Sequence, residues 1–240
     1  MELNNQVEPI VSFDRVSKKF PGKTALKEMS FVIPRGQIVG IIGTNGSGKS
    51  TILELMAGLQ RPSKGSVLLN GHPVERLSSR HIAFLPEQDV FYRNDTLEKL
   101  LHFYKEMFAD FNLEKAFELI QFFQLIREQK IAHMSKGNRA RLKIVLALAR
   151  QAPLIIMDEP LSGLDPLVRE SIIRSMILAL DMSEQTLVMT THEVEEVEPL
   201  LDWAMLINDG QLRGYEKVEH IHSEYGFGVV GWMKNQLSQA

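Results

Sequence analysis

The sequence contains no cysteine, no long apolar run and no excess of basic residues, and each absence excludes a class of protein. Without cysteine among its 240 residues, the chain has neither disulfides nor thiolate metal sites. Its longest apolar runs, such as IVGII and IVLALA, are far shorter than the roughly 20 residues that cross a bilayer. A net charge of −3 argues against nucleic acid as a partner, because phosphate-backbone binding needs a basic excess.

The start of the chain also lacks the charged and apolar blocks of a secretory signal. We therefore expect a cytoplasmic protein, whose association with a membrane goes through a partner. Hydrophobic residues make up 44% of the chain, which at this length allows a sizeable core. The length fits one large domain, or one domain that carries a subdomain.

The order of apolar patterns predicts an α/β fold. Short β-rich runs alternate with turns in the first third, where Asn70-Gly71 is typical of a tight turn. Between Thr96 and Ile131, apolar residues recur every three or four positions without an intervening strand, which predicts a helical insertion. From Lys143 onward helices alternate with buried strands, and this favours a mostly parallel sheet.

The stretch from about residue 214 to residue 240 is a C-terminal extension whose role the sequence leaves open. His220 and His222 have the chemistry of metal ligands. Two histidines without further ligands are much more often a solvated pair, so we do not assign a metal to them.

A glycine-rich loop, GTNGSGKST, stands between a predicted strand and a predicted helix. This context and spacing match a phosphate-binding loop. Backbone N–H groups between the glycines wrap a polyphosphate, Lys49 reaches the β- and γ-phosphates, and Ser50 supplies an oxygen to Mg²⁺. The predicted nucleotide-binding residues are Gly43, Thr44, Asn45, Gly46, Ser47, Gly48, Lys49, Ser50 and Thr51.

A second motif, PLIIMDEP, predicts a buried strand that delivers two carboxylates to the carboxyl edge of the sheet, where ligands of open α/β sheets bind. Asp158 would hold Mg²⁺, directly or through water. Glu159 is then placed to polarise a water for attack on the γ-phosphate. Together with the loop, these residues predict a P-loop NTPase with a mostly parallel core sheet, an N-terminal antiparallel β part and an inserted helical subdomain.

From about residue 10 to about residue 214, the chain resembles the nucleotide-binding subunit of ATP-binding cassette (ABC) transporters. GTNGSGKST resembles the Walker A motif of that family, LIIMDEP its Walker B motif and SGLD (162–165) its D-loop. The resemblance implies an ATPase that uses ATP and Mg²⁺. It also implies that His192, in TTHE, is the switch histidine, that Phe20 stacks on adenine, and that Glu159, His192 and Lys49 are the catalytic residues.

The segment MSKGN resembles the family's signature, a Ser-Gly-Gly-Gln-like start of a helix that covers the ATP of a second cassette. Ser135 and Gly137 are retained, whereas Lys136 replaces a Gly and Asn138 replaces the Gln. The resemblance therefore implies that Ser135 and Gly137 bind the nucleotide of the partner in a dimer of identical or related subunits.

In AFLPEQDVFY the family usually has a Gln that meets Mg²⁺. Here Glu87 follows Pro86 and Gln88 comes next, so either side chain could fill that role, and position favours Glu87. The LPE and SKGN forms resemble bacterial subunits that pair with separately encoded ABC-2 export permeases. The resemblance thus implies a single ABC domain over 1–240, a helical subdomain at about 88–140, and a permease contact near Phe91 and Tyr92 at the inner face of the cell membrane.

Two other functions are compatible with a P-loop. One is a soluble ABC-type ATPase that acts on ribosomes or DNA, but the single uninterrupted cassette and the lack of a basic tract disfavour it. The other is a P-loop kinase or GTPase, which has no need of MSKGN and SGLD.

Overall fold

The computed structural model of the protein describes residues 9–88, 91 and 94–238. Its strands are β1 (Pro9–Phe20), β2 (Lys23–Pro34), β3 (Ile38–Ile42), β4 (Lys64–Leu69), β5 (His72–Pro73), β6 (Ile82–Leu85), β7 (Leu154–Met157), β8 (Thr186–Thr191), β9 (Trp203–Asn208) and β10 (Gln211–Lys217). Its α-helices are α1 (Lys49–Met56), α2 (Leu97–Met107), α3 (Leu113–Phe122), α4 (Lys136–Leu148), α5 (Pro166–Ala179), α6 (Val194–Val197), α7 (Val218–Tyr225) and α8 (Val229–Ser238). Short 3₁₀ helices span Arg76–His81, Ile131–His133 and Glu198–Leu200.

The described strands form two sheets. Strands β2-β1-β4-β5 pair antiparallel in this order. The second sheet has the order β10-β9-β3-β8-β7-β6, and its pairs are parallel except β9 with β10. The predicted combination of a mostly parallel sheet with an N-terminal antiparallel part is thus confirmed.

The central strands are continuous apolar runs because both of their faces are covered. Every residue of β3, β7 and β8 is buried, as expected for parallel strands between two layers. Alternate residues point to opposite cores: Ile156 and Val188 pack toward α1 and the antiparallel sheet. Ile155 and Leu187 pack toward the helices on the other side.

The predicted helical insertion is present as α2 and α3. Each helix has a side-chain N-cap, since Thr96 accepts a hydrogen bond from the backbone of Lys99 and Asn112 from that of Lys115; such caps satisfy amide groups that the helix leaves unpaired. Leu101 and Ile120 are among the residues that the two helices bury. The limits of a subdomain at 88–140 stay a prediction.

The C-terminal extension packs onto the sheet through α8. Trp232 is 1% exposed and lies against Gly214 of β10. His220 pairs with Glu216 and His222 with Glu198, and the described residues include no group of three or more His, Cys, Asp or Glu side chains that could hold a metal ion. Among the helices that the structure describes, none has the length and apolar character needed to cross a membrane.

Candidate active site

Parallel strands β3, β7 and β8 end at one edge of the large sheet, and the segments that follow them meet there. The glycine-rich loop follows β3, Asp158-Glu159 follows β7 and His192 follows β8. Residues of the loop, Glu159 and His192 line a cavity of about 330 Å³, and Asp158 is not among the lining residues; this size is in the range of small-ligand sites. Its lining consists of Lys23, Ala25, Asn45, Gly46, Gly48, Lys49, Ser50, Thr51, Glu87, Glu159 and His192.

The loop after β3 can be built only with glycine at two of its positions. A Cβ at Gly43 would collide with the carbonyl oxygen of Ile207. Gly48 has φ +112°, and a Cβ there would lie 2.7 Å from Cδ2 of Leu26. Helix α1 begins directly after Gly48, so its unpaired N–H groups and the positive end of its dipole face the cavity. Ser47 Oγ is buried and has no hydrogen-bond partner among the described residues, and Ser47 is not among the residues that line the cavity.

Lys49 is held inside this loop. Its side chain is 7% exposed, and Nζ donates to the carbonyl oxygens of Gly43 at 2.9 Å and Thr44 at 3.3 Å. Nζ also lies 3.8 Å from Oε1 of Glu159. A nearly buried ammonium group beside the N–H groups of a helix start is suited to bind the terminal phosphates of a nucleotide.

Asp158 and Glu159, which follow β7, are both hydrogen-bonded by one residue of the neighbouring strand. Thr190 Oγ1 donates to Oδ1 of Asp158 at 2.6 Å and accepts from the backbone N–H of Glu159 at 2.8 Å. Glu159 has φ +46°, a left-handed conformation that is strained for any residue but glycine. In this turn its Oε2 lies 2.7 Å from Nδ1 of His192. Lys49, Glu159 and His192, which were predicted from separate motifs, are thus brought together.

The acidic character of the site extends into α1. Burial raises the pKa of the Glu54 carboxyl, the negative charge of Asp158 raises it further, and Lys18 lowers it. Ser50, Asp158 and Glu87 offer a hydroxyl and carboxylate oxygens, which are the donors that Mg²⁺ takes. The residues at this edge therefore fit a hard divalent cation.

Comparison with known proteins identifies the family. Residues 26–162, more than half of the chain, match the ABC transporter family. The chain belongs to the ABC transporter family. The uncharacterized ABC transporter ATP-binding protein MJ1023 of Methanocaldococcus jannaschii is 30% identical over 221 residues, which cover 90% of this chain and 80% of that protein. The ABC transporter ATP-binding protein YtrB of Bacillus subtilis is 26% identical over 218 residues, which cover 90% of this chain and 75% of that protein.

A solved ATP-binding subunit of an ABC transporter has the same fold. It superposes with a TM-score of 0.83 at 26% identity, over 95% of this chain and 99% of that one. The protein is therefore an ATP-binding ABC ATPase, and residues of its glycine-rich loop line the cavity at the sheet edge.

Within this ABC ATPase, Glu87 and Gln88 are placed differently. Glu87 lines the cavity, whereas Gln88 is not among its lining residues. Lys143 of α4 donates to the backbone carbonyl of Glu87 at 2.6 Å, so this loop is tied to the helix that begins with the signature.

Phe20 lies at the end of β1, outside the residues that line the cavity. Phe20 is 37% exposed, and Nζ of Lys18 lies 4.9 Å from its ring centroid. Lys23 and Ala25 of the adjacent strand β2 do line the cavity. The antiparallel sheet therefore borders the site, and its role in holding a base through Phe20 stays a prediction.

The signature residues lie away from this cavity. Ser135 caps α4 by accepting from the backbone N–H of Asn138 at 3.2 Å, and Gly137 faces Val168 of α5. Lys136 lies against Gly163 of the D-loop. Neither Ser135 nor Gly137 is among the residues that line the cavity.

The D-loop is joined to the histidine segment by Arg169. Its guanidinium donates to the carbonyl of Leu164 at 2.9 Å and pairs with Glu196 at 2.6 Å and Glu193 at 3.0 Å. Neither Arg169 nor Thr190 was expected from the sequence. No sequence motif identifies these two residues, because their contacts depend on which strands and helices become neighbours in the fold.

Proposed function

We propose that the protein hydrolyses MgATP with Glu159 as the general base, works as a dimer of cassettes, and powers a separately encoded export permease. The observation that carries this proposal is the meeting of Lys49, Glu159 and His192 at one cavity: Glu159 lies 3.8 Å from Nζ of Lys49 and 2.7 Å from Nδ1 of His192.

The chemistry follows from what each side chain can do. The loop N–H groups and Lys49 hold the β- and γ-phosphates and neutralise their charge. Glu159 accepts a hydrogen bond from the attacking water and takes its proton, while His192 keeps the carboxylate oriented and reaches toward the γ-phosphate. Ser50, Asp158 and Glu87 would hold Mg²⁺, which when bound draws charge from the phosphate oxygens.

The position of the signature supports a dimer. Ser135 and Gly137 stand at the start of α4, where N–H groups suit a phosphate, yet they do not line the cavity of their own chain. A second cassette in head-to-tail arrangement would bring its Ser135 and Gly137 over the γ-phosphate. ATP would then join the two subunits, and ADP would release them.

The permease contact is proposed at the groove between β6 and helices α2 and α4. This groove is a cavity of about 170 Å³, and Leu85, Phe91, Tyr104 and Phe108 are among its lining residues. Tyr92, the second predicted contact, lies outside the described residues. Docking there would place the protein on the inner face of the cell membrane, through the permease alone. The LPE and SKGN forms support export.

Size-exclusion chromatography with light scattering tests the dimer. The Glu159→Gln variant should elute as a dimer with MgATP and as a monomer with MgADP, because only ATP supplies the bridging γ-phosphate. Lys49→Ala combined with Glu159→Gln is the matched control and should stay monomeric. A Glu159→Gln variant that remains monomeric at saturating MgATP contradicts the proposed dimer of this chain.

A further inference from the structure

Thr190 is a buried residue that links the carboxylate of Asp158 to the backbone of Glu159. Strands β7 and β8 pair in parallel with Met157 opposite Met189, so Thr190 stands opposite Asp158, one step further along. Its side chain is 0% exposed. The hydroxyl donates to Asp158 Oδ1 at 2.6 Å and accepts from the backbone N–H of Glu159 at 2.8 Å. A hydroxyl has one proton to donate, and here it goes to Asp158.

We propose that Thr190 is a positioning residue for ATP hydrolysis, which sets the orientation of Asp158 toward the metal and of Glu159 toward the attacking water. The inference rests on the proposed roles of those two carboxylates. It assigns Thr190 no contact with ATP.

The two hydrogen bonds act on different parts of the chemistry. The bond to Oδ1 fixes the plane of the Asp158 carboxylate and thereby the direction of its other oxygen. Removing a partner that orients a metal ligand in this way typically lowers metal affinity or activity about 10- to 100-fold. The bond from the Glu159 N–H holds a residue whose φ of +46° is strained, and that turn directs the Glu159 side chain toward Lys49 and His192.

Thr186 provides a matched control on the same strand. It lies four residues before Thr190, which places both side chains on one face of β8, and it is also 0% exposed. Its hydroxyl accepts from the backbone N–H of Gly36 at 2.9 Å, at the opposite end of the strand from the carboxylates. Replacing either threonine by valine removes one buried hydroxyl and keeps the shape.

The test compares wild type, Thr190→Val, Thr190→Ser and Thr186→Val as full chains. Three quantities are measured: ATP affinity in EDTA by equilibrium binding, the Mg²⁺ concentration that gives half-maximal ATPase, and the melting temperature. Thr190→Val should raise the Mg²⁺ requirement about 10- to 100-fold and leave metal-free ATP affinity unchanged. Thr190→Ser should restore the wild-type Mg²⁺ requirement, and Thr186→Val should lower the melting temperature only.

A Thr190→Val variant that folds and keeps the wild-type Mg²⁺ requirement overturns the inference. If the valine variant does not fold, Thr190→Ser and Thr190→Ala still isolate the hydroxyl, because both lack the methyl group; equal Mg²⁺ requirements in that pair also overturn it. Failure of the proposed function would be a separate result. In that case the Glu159→Gln single variant would keep the Mg²⁺-dependent ATPase activity of the wild type.

Discussion

Oε2 of Glu159 lies 2.7 Å from Nδ1 of His192, although 33 positions separate the two residues in the chain. The contact arises because β7 and β8 are parallel neighbours and end at the same edge of the sheet. It gives the proposed general base a fixed direction within a cavity that also contains Lys49.

His192→Ala should therefore lower the ATPase rate by about 10²-fold, the cost that misplacing a reacting group by about 1 Å can have, and should leave ATP binding intact. His222→Ala is the matched control, since His222 also pairs with a glutamate, Glu198 at 3.0 Å, but does not line the cavity. The steady-state ATPase rate and the equilibrium ATP affinity of both variants are compared with those of the wild type. Wild-type turnover in His192→Ala would refute the role of this contact.

Glu159→Gln should bind ATP with near wild-type affinity and turn it over about 10² to 10⁴ times more slowly, the range expected for loss of a general base. The amide keeps the size of the side chain and removes the charge. Lys49→Ala should instead lose ATP affinity, because its ammonium group binds the phosphates. Single-turnover hydrolysis and nucleotide titration separate the two effects, and a fast Glu159→Gln variant would exclude Glu159 as the base.

Glu54 gives a pH-dependent test of the site's edge, because burial and, next, the negative charge of Asp158 raise the pKa of its carboxyl. Its pKa is raised above 4.5 in the folded protein, so its ionisation disfavours the native state. Below pH 4.5 the protonated Glu54 does not destabilise the native state. As the pH rises through the pKa of the folded protein, the carboxyl ionises and the free energy of unfolding falls. Glu54→Gln should raise the melting temperature at neutral pH, and the gain should vanish below pH 4.5. The same gain at both pH values would argue against an electrostatic origin.

Phe91→Asp tests the proposed docking groove. The charged side chain should prevent co-purification with the co-expressed permease and leave the basal ATPase of the isolated protein unchanged, because Phe91 lines the groove and not the nucleotide cavity. Leu178→Asp is the control: Leu178 is 68% exposed on α5 and lies outside the groove. Loss of ATP binding in Phe91→Asp would show that Phe91 belongs to the core instead.

Local patterns were enough to predict the sheet types, the inserted helices, Lys49 and Glu159, and the family resemblance added His192. Each of Lys49, Glu159 and His192 follows a buried strand, and parallel strands deliver their ends to one edge. The sequence favoured Glu87 over Gln88 by position alone, and only the path of the loop after β6 shows that Glu87 lines the cavity.

Thr190 and Arg169 were beyond prediction for a related reason. A threonine in a β-rich run is most simply read as a strand former. Only the register of β7 with β8 reveals that its hydroxyl meets Asp158. Likewise, Arg169 can pair with Glu193 and Glu196 only because α5 lies beside the residues that follow His192.

The most direct test of a shared site mixes two inactive variants and measures specific ATPase activity. Lys49→Ala damages the phosphate loop and Ser135→Arg the signature, and each should be inactive alone, with a melting temperature close to that of the wild type. A mixed dimer contains one site with both lesions and one intact site. Activity should therefore return on mixing and increase with protein concentration. Two folded, inactive variants that remain inactive when mixed, alongside an active wild type, would contradict the account.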